Sequence, residues 1–214
     1  MHASIFKMGA FPYLSKLEKI KYKPVSVREV LIEMKDLSEL MIDLAYSATL
    51  FNSRDLAEEV LELEERVDNL AYLLHMNTML AARDAEDAEE FVGICKVATA
   101  TNKISDAAAD IAYLVIWGIG LHPIVREAFG AVQERLMRSE AKSTSIIVSK
   151  SLGELELAAR IGVDIIAIRR GKEWIINPSE GEKIVESDIL IARGAPHGVE
   201  KLKQLADGTL KELG

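Results

Sequence analysis

Residues 162–178 read GVDIIAIRRGKEWIINP, and this stretch decides the architecture of the C-terminal part of the chain. The apolar run from Val163 to Arg169 predicts a strand, because it is short, rich in β-branched residues and bounded by turn residues. Arg170-Gly171-Lys172 predicts a hairpin turn into a second strand over 173–176. Asn177-Pro178 then turns the chain away. Two neighbouring antiparallel strands are therefore expected here.

The flanking sequence extends this pattern in both directions. Upstream, Thr144–Val148 predicts a short strand, and Ser151-Leu152-Gly153-Glu154 is a capping box that predicts a helix through Arg160. Downstream, 188–193 predicts a further strand, and Pro196 begins a last amphipathic helix. The predicted order is β-α-β-β-β-α, a small α/β sandwich. Because so small a module buries little apolar surface, we expect it to pair with a second copy of itself.

The N-terminal half predicts long helices. There is no proline and one glycine between Val27 and Trp117, and apolar residues recur in steps of four and three. Ser26 is expected to cap the first helix, Asn52-Ser53 to start the second, and Asp84 to cap a third that ends at Trp117. Three such helices with short loops form an antiparallel bundle. Ile124–Met137 predicts a shorter fourth helix.

One apolar face is predicted for each long helix. The first carries Val30, Met34, Leu37, Met41, Leu44 and Ala48; the second carries Leu56, Val60, Leu63, Val67, Leu70 and Leu74; the third carries Phe91, Ile94, Ala98, Thr101, Ile104, Ala108, Ile111 and Val115.

Charge divides the 214 residues into three parts. Residues 1–26 carry +4, residues 27–117 carry −12, and residues 118–214 are neutral, which gives −8 in total. An acidic total disfavours a nucleic-acid partner. Together with the predicted elements, this division predicts a basic N-terminal extension (1–26), a helical domain (27–138) and a C-terminal α/β domain (139–214), which is an α plus α/β fold class.

The sequence also bears on the compartment. Cys95 is the single cysteine, so no internal disulfide is expected, and the amino terminus lacks the layout of a signal peptide. The longest uncharged apolar run, 111–121, is shorter than the ~20 residues of a spanning helix. We expect a cytoplasmic protein without direct membrane insertion.

Two pairs of carboxylates lie four residues apart on the predicted helices. Glu64 and Asp68 form one pair, and Asp106 and Asp110 form the other, with Asn102 one turn earlier. Residues at this spacing share a helix face, so each pair could present oxygens to a hard cation such as Mg²⁺, Mn²⁺, Ca²⁺ or Fe. Acidic helix faces are more often simply solvated, and that alternative stays open.

These acids also carry a resemblance to a known family. Glu64-Glu65-Arg66-Val67-Asp68 resembles the E-x-x-x-D motif of PhoU-type helical domains, and the stretch 102–110 resembles their second motif. The resemblance implies a metal cluster held by Glu64, Asp68, Asp106 and Asp110, with Asn102 standing where the family has an acid. Full-length PhoU has two three-helix units and this chain has one, so the resemblance favours a homodimer.

The second half, about residues 139–214, resembles the TrkA C-terminal domain, also called the RCK C-terminal domain. The matching segments are 153–157, 162–171, 177–178 and 184–194. The resemblance implies a dimerising, ligand-sensing module of potassium channels and transporters, some of which sense cyclic dinucleotides. A PhoU-like bundle followed by this domain resembles an archaeal family of potassium-channel-related proteins. It implies a membrane channel or transporter subunit as partner, and a peripheral position at the inner membrane face through that partner.

Four residues of this half are candidate ligand contacts. Arg169 and Arg170 could meet an anionic ligand or be ordinary solvated hairpin charge. His197 lies at a helix start, where free N–H groups favour anions, and its alternative is an exposed first-turn residue. Asn177 belongs to the TrkA-C-like stretch. The ligand itself is not identified by these residues.

We therefore expect a regulatory subunit for potassium (cation) transport by a channel or transporter. The alternative is a metal-binding adaptor of phosphate-uptake signalling. An enzyme is not expected, because the chain offers no nucleophile triad, P-loop or His-assisted metal site.

Overall fold

The computed structural model describes residues 21–119, 121–124, 127 and 134–213. Its N-terminal part contains three long helices, α1 (Val27–Phe51), α2 (Arg54–Ala81) and α3 (Ala85–Ile116), which pack on one another in a bundle. The predicted helix starts are confirmed. The side chains of Ser26, Ser53 and Asp84 each accept a hydrogen bond from a backbone N–H three residues later.

The predicted apolar faces of α1 and α2 are confirmed, since every residue assigned to them is buried. The prediction for α3 is wrong at Ile104, which is 45% exposed. Instead α3 buries mainly small side chains, namely Ala98, Ser105, Ala108, Ala109, Ala112 and Val115. Small residues allow close approach of the neighbouring helices, so the larger Ile104 lies to one side of the contact.

The C-terminal part contains a four-stranded antiparallel sheet. Its strands are β1 (Arg135–Glu140), β2 (Val163–Arg170), β3 (Glu173–Ile176) and β4 (Ile189–Gly194), in the order β1-β4-β2-β3. Two short helices, α4 (Leu152–Leu155) and α5 (Leu157–Ile161), precede β2, and α6 (Pro196–Ala206) follows β4. The predicted order β-α-β-β-β-α is confirmed.

The first strand lies elsewhere than predicted. Residues 144–148 form turns, whereas β1 pairs along its whole length with β4. In the turns, the Ser145 hydroxyl donates to the carbonyl of Leu205 and Ile147 is fully buried, so this apolar run serves the core without joining the sheet. The predicted domain boundary at residue 139 falls within β1.

Three local predictions need correction or fall outside the described residues. The predicted helix Ile124–Met137 is wrong for residues 135–137, which belong to β1, and residues 125, 126 and 128–133 lie outside the description. The predicted helix 152–160 is divided at Glu156, whose φ of 46° interrupts the helical backbone. Of the predicted basic extension, residues 1–20 lie outside the description; the carbonyl of Lys23 accepts a hydrogen bond from the side chain of Asn77.

The sheet has helices on both faces. On the face that we call the bundle face, Ala167, Ile189 and Ile191 belong to the core of the helical bundle. On the opposite face, the α6 face, Ile168 and Leu190 pack with residues of α6. Successive strand residues point to opposite faces, so neighbouring residues of β2 and β4 serve different cores. No helix within the described ranges is long and apolar enough to cross a membrane.

Candidate functional site

The predicted acids of α2 and α3 come together where these helices pack. Burial raises the pKa of the Asp106 carboxyl, and the negative charges of Asp68 and Asp110 raise it further. The side-chain amide of Asn102 lies 3.5 Å from Asp106 Oδ1 as a hydrogen-bond donor. Three acids and one amide thus share a single electrostatic environment across the α2–α3 contact.

Glu64 belongs to the same region and is only 6% exposed. Burial raises the pKa of the Tyr113 hydroxyl, and the charges of Glu64 and Asp110 add to that rise. Glu64 therefore lies near the α3 side chains, as the predicted constellation requires.

The fit of these residues to a metal ion is incomplete. Within the described ranges, no group of three or more His, Cys, Asp and Glu residues is arranged to hold a metal ion. The buried Asn102 Oδ1 has no hydrogen-bond partner there, and it is an oxygen of the kind hard cations prefer. The region supplies negative potential and one free oxygen, and the metal site stays a prediction.

A second charged cluster joins the sheet to the bundle. Glu59 of α2 is 3% exposed, and its Oε1 accepts hydrogen bonds from Arg138 Nε at 2.6 Å and from Arg169 Nη2 at 2.9 Å. Arg169 Nη1 also lies 2.8 Å from Glu62 Oε2. The predicted ligand contact Arg169 is thus engaged with acids of the helical part.

Arg170 lies on the opposite face of β2 and is engaged within the C-terminal part. Its Nε and Nη2 donate to the two carboxylate oxygens of Asp188 at 2.9 and 2.8 Å, and Nη1 donates to Glu182 at 3.0 Å. Asp188 is 1% exposed and also accepts the N–H of Val185. The hydrogen bonds to Asp188 raise the pKa of Arg170, so the guanidinium stays charged.

The four predicted ligand residues are not gathered in one place. Arg169 pairs with Ile189 at one end of β4, whereas α6 and its His197 begin beyond Gly194 at the other end. Asn177 is exposed, has a φ of 48° and donates its N–H to the carbonyl of Ile166. The structure therefore divides these residues among at least three locations.

Sequence reasoning missed Glu59, Arg138 and Asp188. A weak signal existed for Glu59, which directly precedes Val60 in the apolar seam of α2 and lies four residues before the buried Leu63. Arg138 directly follows the predicted helix Ile124–Met137, and because no strand is predicted there, its place in β1 and its contact with Glu59 have no signal in the sequence.

Family comparisons agree with the two halves of the fold. The PhoU domain model matches residues 31–115, and the TrkA-C domain model matches residues 136–207. The PhoU match therefore coincides with the helical bundle, and the TrkA-C match coincides with the sheet and its helices.

Relatives and solved structures match parts of the chain. The Ktr system potassium uptake protein C of Bacillus subtilis (strain 168) is 34% identical over 65 residues, which are 30% of this chain and 29% of that protein. The RCK_C domain of KtrA in complex with cyclic diadenosine monophosphate is 27% identical at a TM-score of 0.32, covering 38% of this chain and 93% of that chain. The RCK_C domain dimer of S. agalactiae BusR with c-di-AMP is 21% identical at a TM-score of 0.33, covering 36% and 95%.

Proposed function

We propose that this chain, a PhoU domain joined to a TrkA-C domain, is a non-enzymatic regulatory subunit of potassium transport by a membrane channel or transporter. The match of residues 136–207 to the TrkA-C domain carries the proposal. The similarity to a potassium uptake protein over 65 residues supports it, although the match spans less than a third of that protein. The chain acts at the cytoplasmic membrane face through its partner, and nucleic acid is not its target.

In this proposal the TrkA-C domain senses a small ligand and the PhoU domain passes the response on. Asn177 and His197 have exposed side chains that a ligand can reach directly. Arg169 and Arg170 hold carboxylates, so an anionic ligand would have to replace Glu59, Glu62 or Asp188 as their partner. For such binding to regulate, the ligand must prefer one of two arrangements of the domains.

The partner is tested by affinity capture. Tagged full-length chain is incubated with detergent-solubilised native membranes, and the captured membrane proteins are identified by mass spectrometry. We expect a potassium channel or transporter subunit among the proteins that are absent when heat-denatured chain is used. Capture of no such subunit would contradict the proposal.

The ligand is tested by thermal unfolding with defined probes, namely cyclic di-AMP, ATP and NAD. A ligand at 100 times its Kd stabilises the folded state by about 2.7 kcal/mol, which raises the Tm of a chain of this size by about 5–10 °C. We expect cyclic di-AMP to raise the Tm and His197→Ala to reduce that rise. His122→Ala, an exposed histidine outside the TrkA-C domain, is the control. No shift with any probe would remove ligand sensing from the proposal.

Pairing is part of the same proposal. We propose a homodimer, because one three-helix unit and one small TrkA-C domain each bury limited surface alone. Light scattering on the full chain distinguishes a particle of twice 23.6 kDa from one of 23.6 kDa. The smaller particle at micromolar concentration would contradict the dimer.

The second candidate is a metal-binding adaptor of phosphate-uptake signalling, which the PhoU match at residues 31–115 favours. Glu64, Asp68, Asp106, Asp110 and Asn102 would hold the ion, which would neutralise their mutual repulsion.

A metal test separates this candidate from the first. We expect Mn²⁺ to raise the Tm of the wild-type chain, and Asp68→Ala with Asp106→Ala to abolish both the rise and the bound metal. Glu86→Ala with Glu90→Ala, exposed acids four apart on α3, is the control. No metal by elemental analysis and no Tm shift with Mn²⁺, Mg²⁺ or Fe would exclude the site.

A further inference from the structure

A single buried carboxylate bridges the two domains at two points of the sheet. Glu59 Oε1 receives hydrogen bonds from Arg138 on β1 and from Arg169 on β2. These strands are not neighbours, because β4 lies between them. Glu59 therefore determines both where the sheet lies on α2 and how it is turned about that point.

The charges of this cluster balance. Arg138 and Arg169 bring two positive charges, and Glu59 and Glu62 bring two negative charges. The side chains of Glu59, Arg169 and Arg138 are 3%, 18% and 25% exposed, while Glu62 is 55% exposed. Without the charge of Glu59, two poorly solvated guanidiniums would share one acid at the rim. Such a loss is costly, because it leaves buried charge uncompensated.

Apart from the Arg135 guanidinium, which lies 4.4 Å from the centre of the Phe51 ring at the end of α1, the rest of the domain contact is largely apolar. Ala167, Ile189 and Ile191 are buried in the bundle core, and Trp174 and Ile176 pack beside them. Apolar contacts hold surfaces together but specify their relative orientation weakly, since the hydrophobic effect is not directional. Hydrogen bonds from two separate strands to one carboxylate are directional. We therefore infer that the charged cluster around Glu59 determines how the sheet is oriented on the helical bundle.

The cluster is not fully satisfied by protein groups. Glu59 Oε2 and Arg169 Nε are buried and find no hydrogen-bond partner in the described part of the chain. Buried polar groups that lack partners reduce the stability of an arrangement. The contact between the sheet and the bundle thus combines specific ion pairs with two unmet hydrogen bonds. The unmet hydrogen bonds lower the free energy needed to separate the sheet from the bundle.

We propose that Glu59 is the clamp that orients the TrkA-C domain on the PhoU domain, and that its release from Arg138 and Arg169 is the step that lets the two domains move against each other. The proposal supplies the regulatory movement of the proposed function, and its meaning for transport rests on that function. Its test needs neither a ligand nor a membrane partner, so the two can fail separately.

The clamp is tested by distance measurement in the full chain. Spin labels are placed at Lys96→Cys on α3 and Lys172→Cys in the β2–β3 hairpin, both exposed positions, in a Cys95→Ser background. We expect Glu59→Gln to broaden the distance distribution about twofold, because a domain contact without its directional ion pairs samples several orientations. Glu58→Gln, the neighbouring exposed acid that pairs with Arg54 on the same helix, is the matched control and should leave the distribution unchanged.

Circular dichroism first establishes that each variant folds. If Glu59→Gln does not fold, Arg138→Met decides, because it removes one contact and keeps the pair between Glu59 and Arg169. For either folded variant, amide exchange in β1 and β2 should accelerate about tenfold while exchange in α3 stays at the wild-type rate. A folded variant with unchanged distances and unchanged exchange would overturn the proposal.

Discussion

Acidic side chains of the chain lie in two regions with opposite electrostatic surroundings. At the sheet, Glu59 and Asp188 each receive hydrogen bonds from arginine, and we call these the sheet acids. Between α2 and α3, Asp106 lies near Asp68 and Asp110, and we call these three the helix acids. The same functional group is therefore matched by positive charge in one region and opposed by negative charge in the other.

The difference separates architecture from candidate function. A buried acid paired with arginine fixes a contact, and losing either partner is strongly destabilising. An acid held near other acids reduces stability instead, and groups with perturbed pKa values are enriched at functional sites. Substitution of sheet acids and helix acids should therefore change stability in opposite directions.

The largest effect is expected from Asp188→Ala. The substitution removes the bidentate partner of Arg170 and the acceptor of the Val185 N–H, and it leaves the guanidinium without its main counter-charge. We expect a loss of about 3–5 kcal/mol in the free energy of unfolding, measured by urea denaturation. Asp164→Ala, an exposed acid on β2, should stay within about 0.5 kcal/mol of wild type. Equal losses for the two variants would contradict the claim that the sheet acids stabilise the fold through their arginine partners.

A smaller loss is expected on the bundle face of the sheet. Arg169→Met removes the hydrogen bond to Glu59 and the pair with Glu62, but Arg138 still neutralises Glu59. We expect a loss of about 1.5–3 kcal/mol by urea denaturation, the range of hydrogen bonds to charged groups.

Arg54→Met is the control for Arg169→Met, because Arg54 forms an ion pair with Glu58 on the exposed side of α2, the helix that also carries Glu59. It should lose less than about 1 kcal/mol. If Arg169→Met were as mild as the control, the cluster around Glu59 would be an ordinary surface ion pair.

Much of the fold follows from local patterns in the sequence. Helix caps at Ser26, Ser53 and Asp84 depend on residues three apart, and the seams of α1 and α2 repeat every few residues, so both are readable along the chain. The hairpin after Arg170 is equally local. The run 144–148 has strand composition, but β1 rather than this run pairs with β4, and pairing is decided by distant residues.

The candidate sites divide in the same way. The i, i+4 acids of α2 and α3 could be found because helix geometry places them on shared faces, and the structure brings the two helices together. Arg169 and Arg170 could be noticed as charges in a strand, but their partners could not. Arg169 is separated from Glu59 by 110 positions in the sequence. Arg170 lies on the opposite face of β2 and therefore contacts Asp188 instead.

The smallest effect, and the one of opposite sign, is expected at Asp106. Burial first, and then Asp68 and Asp110, raise the pKa of its carboxyl above the ordinary value of 3.8. Between 3.8 and the raised value, the folded chain binds more protons at this site than the unfolded chain, so its contribution to stability falls as pH rises through that window. Above the window the penalty is complete, and Asp106→Asn removes it.

Asp106→Asn should therefore be more stable than wild type at pH 7 by a few tenths of a kcal/mol, about the size of one like-charge pair on a helix. The measurement is urea denaturation of protein treated with EDTA, at pH 7 and again below the ordinary pKa, where the difference should vanish. Glu86→Gln on the exposed side of α3 controls for the loss of one negative charge from an acidic bundle. A loss of stability in Asp106→Asn at pH 7 would place Asp106 with the sheet acids, as a structural partner of some other group, because an acid gains stability on losing its charge only where burial or nearby negative charge penalises the ionised form.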